Sequence, residues 1–141
     1  ISTDLNAPPD FVDVLPLRVD AANTTVYGGS NNMTPERLSQ LTAEAYPDLV
    51  SQYYAASVDE VFDRALAAVD RLGWELVSAT RSAGRIEATD TTLWFRFKDD
   101  IVIIIEAQGN QTLVNARSVS RVGTGDVGAN AIRLRAFFAL L

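Results

Sequence analysis

The chain runs to 141 residues, 48% hydrophobic and 21% charged, with neither cysteine nor histidine. One domain with an ordinary globular interior fits that length and composition, and the two missing residue types exclude disulfides, Cys/His zinc sites, cysteine nucleophiles and histidine triads. A net charge of −6 argues against nucleic acid as a partner, no cofactor is expected, and no apolar run of ~18 residues, the length of a membrane span, occurs.

Charge is unevenly spread. Residues 1–70 hold eleven acids against three arginines (−8), and residues 71–141 hold seven acids against nine bases (+2). The basic half can dock on the acidic half or take a small anion, and docking is the simpler reading.

All five prolines fall within residues 1–47, with Gly28-Gly29 among them. Residues 1–49 therefore read as an extended, irregular segment. Its Phe11, Val12, Val14, Leu15, Leu17 and Val19 are too apolar for a free tail and predict a wrap across a core domain of residues 50–141. One short helix is expected at Pro35–Glu44, capped by Thr34. A chain opening on Ile1 reads as a fragment or processed product from which an anchor has been removed. Asn23-Thr24-Thr25, Asn32-Met33-Thr34 and Asn110-Gln111-Thr112 match the short glycosylation sequon.

Val50–Ala55 reads as a strand. Ser57 with Glu60 forms a capping-box pattern ahead of a helix whose apolar stripe is Val61, Ala65, Leu66, Ala68, Val69 and Leu72, ended by Gly73. Four strand signals follow: Trp74–Thr80, a long Arg85–Phe97, Ile101–Ala107 and Gln111–Arg121. Turns are expected at Ser82–Gly84, Lys98–Asp100 and Gly109-Asn110. A last helix from Asp126 is expected to bury Val127, Ala131, Leu134, Phe138 and Leu141.

The predicted fold is α+β: one curved antiparallel sheet of about five strands in the order β-α-β-β-β-β-α, TATA-binding-protein-like, with both helices on one face. Ile101–Ile105 is apolar without alternation, which predicts that the second face is covered too, by residues 1–50 or by a second subunit.

Three groups carry candidate chemistry. Gly123-Thr124-Gly125-Asp126-Val127-Gly128 fits a dinucleotide fingerprint, but the chain ends 13 residues later. The parallel strands and distal acid that fingerprint needs cannot follow. A tight turn with positive-φ glycines is the better reading. Around it, Arg117 and Arg121 share one strand face, Ser118 and Ser120 the other, and Asn130 and Arg133 follow on the helix. Arg117, Ser120, Arg121, Asp126, Asn130 and Arg133 are thus candidates for a binding pocket, with the arginines as anion ligands. The alternative is a structural network in which Asp126 caps the helix and Arg121 pairs with an acid. Asp99 and Asp100, near Asp90 and Glu87, pair carboxylates as acid/base or cation sites do, though adjacent acids in a turn ordinarily face solvent. Trp94, Phe95 and Phe97 read as core or cross-strand aromatics, with Trp94 on the opposite face and able to line a groove.

Arg85–Thr89, then Phe97-Lys98-Asp99-Asp100, then Arg117, Ser118, Ser120, Arg121, Gly123, Asp126, Gly128, Asn130 and Arg133 resemble the domain of unknown function 1499 family of bacteria and plastids, as do Thr3-Asp4, Pro8-Pro9 and Phe11. The resemblance implies no established activity. It implies a context, since members often follow a membrane anchor or lipoprotein signal, and hence the periplasmic face of a bacterial envelope. The wholly aliphatic Ile101–Ile105 departs from the pattern and favours a buried strand.

The expected function is a non-catalytic binding or assembly module of a membrane-anchored envelope protein. Its partner is a protein or a small anion at the Arg117–Arg133 region, it touches membrane only through the removed anchor, and it can self-associate. Two alternatives stand beside it: a small hydrolase or lyase using Asp126 or Asp100 with arginines, and a carrier of hydrophobic ligands in the concave face of the sheet.

Overall fold

The computed structural model describes residues 1–30, 32–123 and 128–141. The elements are α1 (Pro35–Ala45), β1 (Gln52–Tyr54), α2 (Val58–Arg71), β2 (Glu75–Thr80), β3 (Arg85–Thr91), β4 (Lys98–Gln108), β5 (Gln111–Ser120) and α3 (Ala129–Phe138). The five strands form one antiparallel sheet in the spatial order β1-β5-β4-β3-β2. This is the α+β fold expected, with α2 carrying the chain from one edge strand to the other.

Local chemistry explains the helices. The Thr34 and Ser57 hydroxyls accept the backbone N–H of Arg37 and Glu60, satisfying one orphan donor at each N-terminus. The Glu60 carboxylate does not complete a capping box but pairs with Arg64 one turn on. Val61, Phe62, Ala65, Ala68 and Val69 form the buried stripe of α2.

Strand alternation divides the interior into two layers. Ile101, Ile103 and Ile105 point to one face of β4, where they pack with Phe62, Val69, Trp74, Leu134 and Phe137 under α2 and α3. Val102 and Ile104 point to the other face, against Phe11, Val14, Val77 and Val119. The second face is therefore covered by the N-terminal segment, as the unbroken aliphatic run required. Gly84 makes the β2–β3 corner possible: its φ is +59° and a Cβ there would lie 1.9 Å from the Ile105 carbonyl oxygen.

Several boundaries differ from those predicted. Val50–Ala55 contracts to a three-residue strand, Gln52–Tyr54. The long strand from Arg85 ends at Thr91, and Lys98-Asp99-Asp100, predicted as a turn, opens β4 instead. The true turn is Thr92–Phe97. A strand tolerates two adjacent buried acids here because arginines meet them from both faces. The last helix begins at Ala129, and Phe137 rather than Phe138 takes the fully buried position. Asp126 and Val127 lie outside the described residues.

How an irregular, proline-bearing segment docks is a question of backbone hydrogen bonds, because every carbonyl and N–H it brings to the sheet needs a partner. Thr3 and Ile1 extend the edge of β5 through Thr3 N–H to Ala116 O (3.0 Å) and Ser118 N–H to Ile1 O (2.9 Å). Beyond that edge, side chains take over. Arg117 donates to the carbonyls of Pro9 (3.0 Å) and Thr25 (2.5 Å), Arg85 to Asp10 O, and Arg121 to Leu17 O (2.8 Å). The N–H groups of Val12 and Val14 donate to the two oxygens of Glu87, at 2.7 and 2.8 Å. The basic half of the chain does dock the acidic half, its arginines reaching backbone carbonyls as well as the carboxylates of Asp48, Asp59 and Asp63. Glu87 is fully buried. Glu87→Ala is therefore expected to cost about 2–4 kcal/mol, because it leaves two backbone N–H groups unpaired. The measurement is urea unfolding with hydrogen exchange at Val12 and Val14; unchanged protection there would refute the anchoring role.

Candidate functional site

Strand alternation also sorts the polar residues near the β5–α3 junction. Asp100 pairs across the sheet with Val119 and Thr89, on the face that carries the N-terminal segment, and Asp99 pairs with Ser120 and Asp90, on the face that carries α3. Two ion clusters thus stand back to back at one end of the sheet.

On the N-terminal face, Asp100 is fully buried. Its Oδ2 accepts from Arg18 Nη1 (2.5 Å) and Arg121 Nε (2.9 Å), and its Oδ1 from Arg121 Nη2 (2.9 Å) and Thr89 Oγ1 (2.7 Å). Arg121 thereby grips the carboxylate bidentately. Burial alone would raise the Asp100 carboxyl, but the hydrogen bonds from Arg121, Thr89 and Arg18 outweigh it and hold the group below the usual carboxylate range. Its bond to Asp100 in turn raises Arg121 above its ordinary value. Arg117 sits deeper on the same face, 2% exposed, with the rings of Phe11 and Tyr27 each 5.3 Å from its guanidinium carbon. Its nearest carboxylate, the exposed Asp10, is 3.9 Å away, and burial pulls the guanidinium below its ordinary value.

On the helix face, Arg133 projects from α3 and donates to Asp90 (2.8 Å), Asp99 (2.6 Å) and Asn130 Oδ1 (2.8 Å). Ser118 donates to the same Asn130 oxygen, and Asn130 Nδ2 donates to Ser120 Oγ (2.9 Å).

The sheet therefore separates the candidates. Arg117 and Arg121 stand on one side, Ser120, Asn130 and Arg133 on the other, and the single pocket drawn from the sequence does not form among the described residues. Asp126 lies outside them. Asn130 serves Ser118, Ser120 and Arg133. Asp99 and Asp100, expected at a solvent-facing turn, are buried partners of three arginines. Gly123 and Gly128 have φ of 95° and 82°, the positive values the turn reading asked of them. Sequence reasoning passed over Arg18, the one base in the first 36 residues. Its isolation among acids was the available signal.

Every buried side-chain nitrogen and oxygen among the described residues has a hydrogen-bond partner. The buried carboxylates of Asp99 and Asp100 are each paired with arginine. The sign of the Asp100 shift sets a pH dependence. Its folded value lies below the unfolded value of about 3.9, so its stabilisation is complete above pH ~4 and is lost as pH falls through the folded value. Acid unfolding of the wild type should steepen below pH ~4, and an Asp100→Asn variant should lose much of that slope. Equal slopes in the two proteins would place the acid-sensitive group elsewhere.

Open surface lies beside both clusters, by Asp90 and Arg133 on the helix face and by Arg121 on the N-terminal face. A shallow depression of about 250 Å³ is lined by Leu17, Asp20, Ala21, Arg96, Phe97, Lys98, Arg121 and Val122. Next to it the β3–β4 turn is closed at its base by Thr92 N–H to Phe97 O and Phe97 N–H to Thr92 Oγ1, both 2.9 Å. At its tip Leu93, Trp94 and Phe95 are 93%, 91% and 77% exposed. Phe95 stacks on Phe97 at 5.6 Å, so these aromatics are neither the core nor the cross-strand pairs expected.

The family model described as Protein of unknown function (DUF1499) matches residues 1–141. The chain belongs to the DUF1499 family. No curated protein matches it significantly. In this DUF1499 protein Arg117, Ser118, Ser120, Arg121, Asn130 and Arg133, which carried the resemblance, are the residues that bind both outer layers to the sheet.

Proposed function

We propose that this DUF1499 domain is a non-catalytic binding module of a membrane-anchored or envelope protein. Its arginine-rich junction holds the scaffold, and the exposed end of the sheet beside it meets the partner. One observation carries the reading: Leu93, Trp94 and Phe95 are almost wholly exposed in a hydrogen-bonded turn, next to two cations, Arg96 and Lys98, that form no ion pair among the described residues. Arg117, Arg121 and Arg133 are engaged by the protein's own groups, which disfavours them as ligands for a free anion. Acid/base chemistry is also disfavoured, because a carboxylate held ionised by two arginines is a weak base at neutral pH.

The test is photocrosslinking in cells with a benzoylphenylalanine in place of Trp94 or, as a control, of Tyr53, which is exposed at another part of the surface. The expected result is strong crosslinking from position 94 and little from 53. Equal or absent crosslinking at the two positions, or turnover of an ester or phosphoester that disappears in Asp100→Asn, would overturn the reading. Leu93→Ser/Trp94→Ser/Phe95→Ser should leave the unfolding midpoint within ~3 °C of wild type, since exposed side chains far from caps and cores rarely contribute more than ~0.5 kcal/mol each. A larger fall, seen by circular dichroism, would make the turn a structural element instead.

A further inference from the structure

Resting on the binding-module reading, we infer that the partner of the Thr92–Phe97 turn is the surface of an anionic lipid bilayer, into whose interface Leu93, Trp94 and Phe95 insert. The turn matches that solvent in three ways. Its tip joins an aliphatic side chain to a tryptophan and a phenylalanine, and aromatic rings of this kind settle at the headgroup level. Arg96 and Lys98 stand immediately behind the tip, both exposed and without an ion pair among the described residues, where headgroup phosphates would meet them. The tip is also rigid at its base, because Thr92 and Phe97 exchange two hydrogen bonds, so ordering it on insertion costs little.

Its surroundings agree. Leu17 and Val122, 54% and 38% exposed, lie at the same end and widen the apolar rim around the tip. Three side chains at the tip of a turn reach no deeper than the interface, and no described helix is long and apolar enough to cross a membrane. A protein groove would also accept three apolar side chains. The two unpaired cations flanking a tip on a chain of net charge −6 favour an anionic surface over a generic apolar groove.

The protein carries its own probe. It has two tryptophans. Trp74 is buried against Phe137, and Trp94 is exposed. A Trp74→Phe variant reports on the tip alone. It is titrated with vesicles of phosphatidylcholine, with and without phosphatidylglycerol, and with vesicles carrying brominated acyl chains. Trp94 emission is expected to shift to the blue and to be quenched by shallow bromines, with tighter binding to the anionic vesicles. Leu93→Ser/Phe95→Ser in that background should weaken binding by roughly tenfold or more. Arg96→Gln and Lys98→Gln should each weaken binding to anionic vesicles by about fivefold and reduce its salt dependence.

Unchanged Trp94 emission with every vesicle overturns the lipid inference. If the tip then drives concentration-dependent self-association in sedimentation, or crosslinks only to protein in cells, the binding-module reading stands with a different partner. If the tip variants change neither vesicle binding, self-association nor crosslinking, both readings fail together.

Discussion

Asp100→Ala is expected to lower the unfolding midpoint by roughly 10–20 °C, equivalent to about 3–5 kcal/mol. The carboxylate is fully buried and two arginines converge on it, one from each end of the chain: Arg18 from the N-terminal segment and Arg121 from just beyond β5. Its removal leaves two cations facing each other in a desolvated site with only Thr89 and backbone carbonyls for company. Arg121→Ala should cost less, about 1–2 kcal/mol, because Asp100 keeps Arg18 and Thr89 and the Arg121 side chain is 14% exposed. The ordering is the test. If thermal melts show Arg121→Ala as damaging as Asp100→Ala, the carboxylate is not the shared anchor.

Arg133→Ala should be nearly as severe, at about 3–4 kcal/mol, with a different pattern of loosening. It strands Asp99 and Asp90 on the helix face and removes a donor from Asn130 Oδ1. Hydrogen exchange is expected to show lost protection in α3 with the Val12 and Val14 amides still protected. Asp100→Ala should show the reverse. Identical exchange maps for the two variants would mean that the sheet does not insulate the clusters and that the domain opens as one unit.

Much of this was legible locally. The α2 helix follows from Ser57 and a 3.6-residue apolar stripe, and the covering of both sheet faces follows from Ile101–Ile105, where alternation is missing. The same local signals misplaced the end of β3. Leu93, Trp94, Phe95 and Phe97 have high strand propensity, and Lys98-Asp99-Asp100 has the composition of a turn, so pattern alone exchanges them. What reverses them lies far away in sequence. Two adjacent aspartates become strand residues only because Arg18, Arg121 and Arg133 arrive from remote elements to neutralise them, and once they are strand the aromatics must be the turn. The candidate site suffered from the same blindness. Alternation on β5 was enough to put Arg117 and Arg121 opposite Ser118 and Ser120, but that Asn130 and Arg133 join the serines, away from Arg117 and Arg121, needed the third dimension.

The contacts of the N-terminal segment also bear on the order of events during synthesis. Its partners on the sheet stand 65 to 117 positions later in the chain: Ser78 for Asp13, Glu87 for Val12 and Val14, Asn115 for Thr3, Arg117 for Pro9, Ser118 for Ile1. The segment therefore leaves the ribosome well before it can dock, since the surface it needs is completed only when β5 emerges. Until then the prolines ahead of α1 disfavour a regular strand in that stretch, and its aspartates keep it dissolved. A segment that looks merely irregular in the finished protein is suited to waiting, and it closes the domain only after the rest has been made.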